Sequence, residues 1–155
     1  MTHQAYKYRL YPTAEQQRQL RQISGSVRWL WNHMLDLNQK QYAIDRRFVF
    51  AYDMAMQLPE LKKQQEWLKT APSQSLQQKC IDLDSALKRV WKQGSGFPKF
   101  KSKHTARDSF RIPQTNNQIK ISDKKIVIPK LGAIKWSQHR PISGILKSIT
   151  VSRDV

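Results

Sequence analysis

One cysteine in 155 residues, Cys80, leaves no partner for an internal disulfide and too few thiolates for a cysteine-based zinc site. Acidic side chains are scarce as well: 11 Asp and Glu stand against 28 Lys and Arg, a formal net charge of +17. No apolar run approaches the ~18 residues that a membrane-crossing helix needs. The opening MTHQAYKYRLYP contains no apolar core of the signal-peptide kind. A reducing cytoplasmic setting, with association with the nucleoid, is therefore expected.

Signatures of catalysis are missing too. Neither G-x-x-x-x-G-K-[ST] nor G-x-S-x-G occurs. His3, His33, His104 and His139 are dispersed, without the spacing of metal ligands. Asp82 and Asp84 form a D-x-D, but residues two apart on a helix face different ways, so solvation or pairing with Lys79 and Lys88 is expected. From Gly94 onward the only carboxylates are Asp108, Asp123 and Asp154. A nuclease normally needs several to hold divalent metal. Chemistry within these residues is not expected, nor is a cofactor.

What the chain has is positive charge, unevenly spread. Residues 94–155 carry 13 basic and 3 acidic side chains, whereas residues 1–93 carry 15 and 8. Such a field attracts polyanions, with nucleic acid ahead of an anionic membrane surface. It is densest in GSGFPKFKSKHTARDSFRIP, residues 94–113. If that segment is extended, Lys99, Lys101 and Lys103 point one way past Phe100, followed by Arg107 and Arg111. A strip of this kind contacts successive phosphates while a ring stacks on a base or packs beneath. The plainer reading is a solvated loop whose phenylalanines plug the edge of a sheet.

Around this segment the pattern is α+β. AYKYRLYP alternates as a short strand ended by Pro12, and Thr13-Ala14-Glu15-Gln16 has the form of a capping box. The helix it opens carries Leu20, Ile23, Val27, Leu30, Trp31, Met34 and Leu35 at helical spacing. Ser24-Gly25-Ser26 is expected to interrupt it, with Gly25 as a stop and Ser26 capping a second helix to about Ala43. That arrangement would offer Arg28, Asn32, His33, Gln39 and Lys40 as readers of a DNA groove. An ordinary helical hairpin fits equally well. Trp29 and Trp31 lie about 200° apart on a helix, so at least one is expected at an interface between lobes.

A shorter helix is predicted near Tyr52–Gln65, limited by Pro59. A clear fourth runs from Pro72-Ser73 to Gly94, with Leu76, Cys80, Leu83, Leu87 and Val90/Trp91 as its buried stripe. Its polar start, SQSLQQK, sets Ser73, Gln74 and Gln77 near a helix N-terminus, where backbone N–H groups favour phosphate and glutamine can pair with adenine. A capping serine among good helix formers is the competing reading. SFRIP, QIKIS, KIVIP and GILKSITVS then alternate as strands. QIKIS-DK-KIVIP reads as a hairpin with Ile119, Ile121, Ile126 and Ile128 inward.

The order KYRLYPTAEQ, SVRWLWNHML, LQQKCIDLDSALKRVW, GFPKFKSK, SFRIPQTNNQIKI, IPKLGAIK, GILKSITVSRD resembles the TnpB (OrfB) family of transposon-encoded, RNA-guided DNA endonucleases, from about residue 6 onward. The resemblance implies a small antiparallel β-barrel-like wedge domain interrupted by a helical recognition domain of about four helices. The boundaries that follow are a first strand at 1–12, a helical domain at 13–93, and the basic loop and remaining strands at 94–155. It implies partners of two kinds, guide RNA scaffold and double-stranded DNA bearing a transposon-adjacent motif. Ser73, Gln74 and Gln77 would approach that duplex, with Thr115 and Asn116 of QTNNQIKI as a second contact. In the family a RuvC-type nuclease follows VSRD, and its acidic residues are not found in this sequence. Cleavage is therefore not expected of these residues alone. A separate or frameshifted RuvC polypeptide completing an active endonuclease is one alternative, and an RNA-independent, transposase-associated DNA-binding protein is another.

The basic strip makes a direct prediction. Changing Lys99, Lys101 and Lys103 together to Ala should flatten the salt dependence of nucleic-acid binding by up to about three charges' worth. An unchanged slope in the same titration would remove phosphate contact as their role.

Overall fold

The structure is a computed structural model, and it describes residues 2–104 and 107–153. Asp154, at the end of the VSRD motif, lies outside the described residues.

After a three-residue strand, β1 (Arg9–Tyr11), the chain enters α1 (Ala14–Asp45). The capping box forms as expected: the Gln16 N–H donates to Thr13 Oγ1 at 3.2 Å, and the Thr13 N–H donates to Gln16 Oε1 at 3.0 Å. Gln16 also reaches forward, its Nε2 donating to the Ala133 carbonyl at 2.8 Å. The predicted break at Ser24–Ser26 does not occur, and α1 is one continuous 32-residue helix. The reason lies in its buried stripe, Ile23, Val27, Leu30, Trp31, Met34, Leu35 and Asn38, which runs through the small residues without a phase change. One mid-helix glycine costs about 1 kcal/mol, well below the 2–5 kcal/mol typical for a single large core side chain. Ser24 and Ser26 are themselves buried, which lets neighbouring chain approach closely.

The expected third helix is divided. α2 (Ala51–Met56) ends at Gln57, and α3 (Leu58–Gln64) carries Pro59 in its first turn, where a missing N–H does no harm. A single 3₁₀ stretch, Glu66–Thr70, leads to α4 (Ser73–Gln93). Pro72 is the N-cap and makes no side-chain capping bond, so Ser73 is a helical residue rather than the cap. Gly94 closes the helix at φ 62, the left-handed conformation that glycine adopts without strain. Of the predicted stripe, Leu76, Cys80, Leu83 and Leu87 are buried, while Trp91 stays half exposed and stacks on Phe48 with ring centroids 4.7 Å apart.

β2 (Ser109–Pro113), β3 (Lys120–Ile121), β4 (Lys125–Ile128), β5 (Gly132–Ser137) and β6 (Ser148–Ser152) complete the chain. All pairings are antiparallel: one sheet has the order β1-β5-β4-β3, and β2 pairs with β6. The class is α+β, as expected, but among the described residues no barrel closes. The first strand does join the C-terminal sheet, Leu10 lying opposite Trp136. Ile119, Ile126 and Ile128 face inward as predicted. Ile121 is the exception at 37% exposure; it opposes Ile126, but β3 is the edge strand and has no outer neighbour to cover it. One hydrophobic cluster runs without a gap from α1 and α4 to Phe110, Ile112, Ile126 and Ile134 of the sheets.

The continuous α1 carries a test. A Cβ built on Gly25 would meet only the Arg28 guanidinium, at 3.7 Å. Gly25→Ala should therefore raise stability by about 0.5–1 kcal/mol in denaturant unfolding. A loss of stability would restore the turn that the sequence suggested.

Candidate nucleic-acid interface

Two surfaces gather the residues singled out by the sequence. The first is a cleft of about 620 Å³ between the start of α4 and the turns of the four-stranded sheet. Ser73 and Gln74 line one side, and Asn116, Asn117 and Gln118 of the β2–β3 turn line the other, with Lys120 and Lys130 among the remaining walls. The turn is held by Gln114: its Nε2 donates to the Ile119 carbonyl and its Oε1 accepts the Ile119 N–H, both at 2.9 Å. One side-chain amide thereby copies the bonding of a strand residue and fixes what lies between.

Backbone strain collects here. Among the described residues four non-glycines have positive φ: Arg46, Asn116, Asn117 and Lys130. Three of them line the cleft. Asparagine tolerates this conformation by bonding locally, whereas lysine gains no such relief. Strain of this kind collects at binding sites, where surrounding structure over-determines it. A further cation stands beside the cleft, Lys62, whose Nζ donates to Ser73 Oγ at 3.0 Å. Burial lowers the Lys62 pKa, and the nearby Lys130 and Lys69 lower it further. Thr115 opens the turn, its carbonyl accepting the Gln118 N–H at 3.1 Å, and is not among the residues that line the cleft. Gln77 is exposed one turn further along α4.

The second surface is the basic segment, pinned to α1 at two adjacent residues. Trp31 Nε1 donates to the Lys99 carbonyl at 2.9 Å. Asn32 makes a closed pair with Lys101, Nδ2 donating to its carbonyl and Oδ1 accepting its N–H, both at 2.8 Å. The expectation that Lys99, Lys101 and Lys103 share one outward side is corrected by this pairing. Lys99 and Lys103 are exposed, but Lys101 folds back, its Nζ lying 4.2 Å from the centroid of the Trp31 ring. Burial first, and the neighbouring Lys79 second, bring the Lys101 pKa down to about 8, with Asp82 opposing. An ammonium with a folded-state pKa below its unfolded value destabilises the fold below pH ~8, and the penalty is relieved as pH rises toward the unfolded value.

The two phenylalanines separate in role. Phe97 packs edge-on against Tyr42 and Phe48, at 5.3 and 5.8 Å, and is structural. Phe100 is 51% exposed and available to a base. Arg107 is exposed further along the segment, and Arg111 is exposed on β2 opposite Thr150, its carbonyl held by Ser75 Oγ at 2.9 Å. Gln77 and Thr115 thus line neither surface, and Arg111 lies at the far end of the basic segment.

The groove-reading helix fares differently. Arg28 is committed to Asp108 at 3.2 Å, Asn32 to Lys101, and Lys40 to Asp36 at 2.8 Å. His33 stacks on Trp29 at 4.7 Å, and Trp29 meets Trp67 edge-on. It is Trp31 that sits between the helical lobe and the basic segment. Asp84 accepts the Ala51 N–H at 2.7 Å at the start of α2 and pairs with Lys88 at 2.8 Å, while Asp82 lies 3.9 Å from Lys79. The cleft lysines Lys120 and Lys130, with Asn117 and Gln118, were not singled out from sequence; their signal was membership of QTNNQIKI and IPKLG, where turn residues abut basic ones. Among the described residues no group of three or more His, Cys, Asp or Glu is placed to hold a metal ion, and no helix is long and apolar enough to cross a membrane.

Residues 1–49 match a helix-turn-helix domain family of the OrfB/IS605 type. Here that stretch is β1 followed by the greater part of one unbroken helix. Over 97% of its length the chain is 34% identical to InsQ of Escherichia coli (strain K12), described as a candidate RNA-guided DNA endonuclease. It is 30% identical, again over 97% of its length, to a candidate RNA-guided DNA endonuclease of Streptomyces pristinaespiralis. The chain spans 37% and 38% of the lengths of those two relatives. Along nearly its whole length the chain is thus similar to these two proteins, and its N-terminal stretch matches the OrfB-type helix-turn-helix domain family.

Proposed function

We propose that the chain is the nucleic-acid-binding module of a TnpB-like protein, gripping guide RNA scaffold with its basic segment and reading a motif on duplex DNA at the Gln74–Asn116 cleft. The observation that carries this reading is the concentration of positive-φ backbone in the cleft, where Asn116, Asn117 and Lys130 stand opposite Gln74. Amide side chains suit base edges, since each carries a donor and an acceptor side by side. Lys62, Lys120 and Lys130 would hold the flanking phosphates, which position the duplex without reading it. Residues 1–12 and 94–155 act as the wedge domain and residues 13–93 as the recognition insertion, a division supported by the return of the chain to pair β1 with β5. The names of the relatives support a role in RNA-guided DNA cleavage, and the cutting itself is assigned to a RuvC-type nuclease as the family resemblance implies. Ser73, Gln77, Thr115, Arg107 and Arg111 are assigned supporting contacts along the same path.

The second reading is an RNA-independent DNA-binding protein, favoured by the helix-turn-helix family match over residues 1–49. The commitments of Arg28 and Asn32 within the fold weigh against it.

Two measurements follow. RNA transcribed from the chain's own locus should bind more tightly than a scrambled RNA of equal length at physiological salt; equal binding of both, lost together as salt rises, would reduce the interaction to net charge. Gln74→Ala with Asn116→Ala should cost about 1–3 kcal/mol of discrimination among duplex sequences. Uniform weakening on every duplex would deny the cleft a reading role.

A further inference from the structure

A second, smaller cavity lies where α1, α4 and the basic segment meet. Its volume is about 30 Å³, and its lining includes Arg28, Lys79, Lys101, Arg107 and Asp108, with hydroxyl-bearing Ser24 and Ser109. One carboxylate therefore faces four cationic side chains. That carboxylate is already engaged, since Asp108 receives Arg28 at 3.2 Å and Arg153 at 3.9 Å. Lys79 is only 14% exposed, and its carboxylate neighbour, Asp82, is 3.9 Å away and 43% exposed. Lys101 makes no ion pair of its own among the described residues, and the one carboxylate that acts on it is the same half-exposed Asp82 that lies beside Lys79. Both ammonium groups lie over the same ring, at 5.8 and 4.2 Å from the Trp31 centroid. The indole face softens their burial but does not cancel their mutual repulsion.

Two like charges held side by side in a partly dry site raise the energy of the fold unless an anion joins them. We infer that this cavity is a preformed seat for one phosphate group of a bound nucleic acid, clamped between Lys79 and Lys101, whose ammonium groups also contact the Trp31 ring. The volume suits about one or two oxygen atoms, so a phosphodiester enters by its non-bridging oxygens while its esters stay outside. Lys99 and Lys103, exposed on either side of Lys101 in the sequence, would lead a bound strand toward the seat. Arg28 and Asp108 form its fixed wall, and Ser24 and Ser109 offer neutral donors. In this arrangement Lys101 is turned inward to complete the clamp. The assignment to nucleic acid rests on the function proposed above; the presence of an anion seat does not.

The test uses the intact chain and inorganic phosphate, with ionic strength held constant by chloride. The readout is the indole N–H resonance of Trp31 in a nitrogen-15 spectrum, assigned by its loss in Trp31→Phe. Phosphate should move it saturably, in the wild type and in Lys92→Met, an exposed lysine in the last turn of α4, but not in Lys79→Met or Lys101→Met. Methionine keeps the apolar stem of lysine, and the remaining indole resonances report whether each variant is folded. The salt dependence of nucleic-acid binding should also fall by about one charge in each of the last two variants. A Trp31 resonance indifferent to phosphate, or one that still responds in folded Lys79→Met, would overturn the seat even if RNA binds well. A phosphate response without any change of salt slope would overturn its assignment to nucleic acid. Since the phosphate titration contains no RNA, a failure of locus RNA to bind leaves the anion seat itself untouched.

Discussion

The pinning of residues 99–101 to α1 is the constraint on which both halves of the molecule depend. Trp31 and Asn32 are adjacent in sequence, and their side chains hold the backbone of Lys99 and Lys101 through three hydrogen bonds of 2.8–2.9 Å. A segment of such charge density would otherwise be driven from the body of the protein by self-repulsion. Fixed at these points, it delivers β2 to the flank of α4, where Ser75 receives it at the Arg111 carbonyl. β2 in turn leads into the turn held by Gln114, so the position of the cleft is inherited from the same anchorage.

That anchorage requires α1 to be unbroken. Trp31 and Asn32 lie on the far side of Ser24-Gly25-Ser26 from the capping box, and Gln16 at the near end is tied to the Ala133 carbonyl of β5. A hinge at Gly25 would decouple the sheet from the basic segment. An unbroken helix keeps them in register, and buried Ser24 and Ser26 bring α1 close to its neighbours. The small residues that look like a turn in the sequence act as a contact surface in the fold.

Elements governed by local chemistry were legible in the sequence. The capping box at Thr13, the Gly94 stop, the α4 stripe and the pairing of the Ile119–Ile128 hairpin all follow from residue type and spacing over a few positions. What was not legible depended on distant partners. Ser-Gly-Ser reads as a break because propensity is local, whereas the stripe from Ile23 to Asn38 that overrides it is paid for by α4 and the sheet. β5, Gly132–Ser137, was not read as a strand, since Lys135 and two small residues blur its alternation. The inward turn of Lys101 required Asn32, 69 residues away, and nothing in FKSK announces it. At the cleft, sequence supplied Ser73, Gln74 and Asn116, and the fold added the lysines that surround them.

The central claim is that nucleic acid meets this chain along Lys99–Lys103 and at the cleft, rather than on the helical face that the domain match would suggest. The most direct test is to photocrosslink the intact chain to bound RNA and to duplex DNA and map the modified peptides by mass spectrometry. Adducts should fall within residues 99–103 for RNA and within 73–77 and 115–120 for the duplex. Adducts confined to the exposed side of α1 around Gln39 and Lys40 would contradict the account.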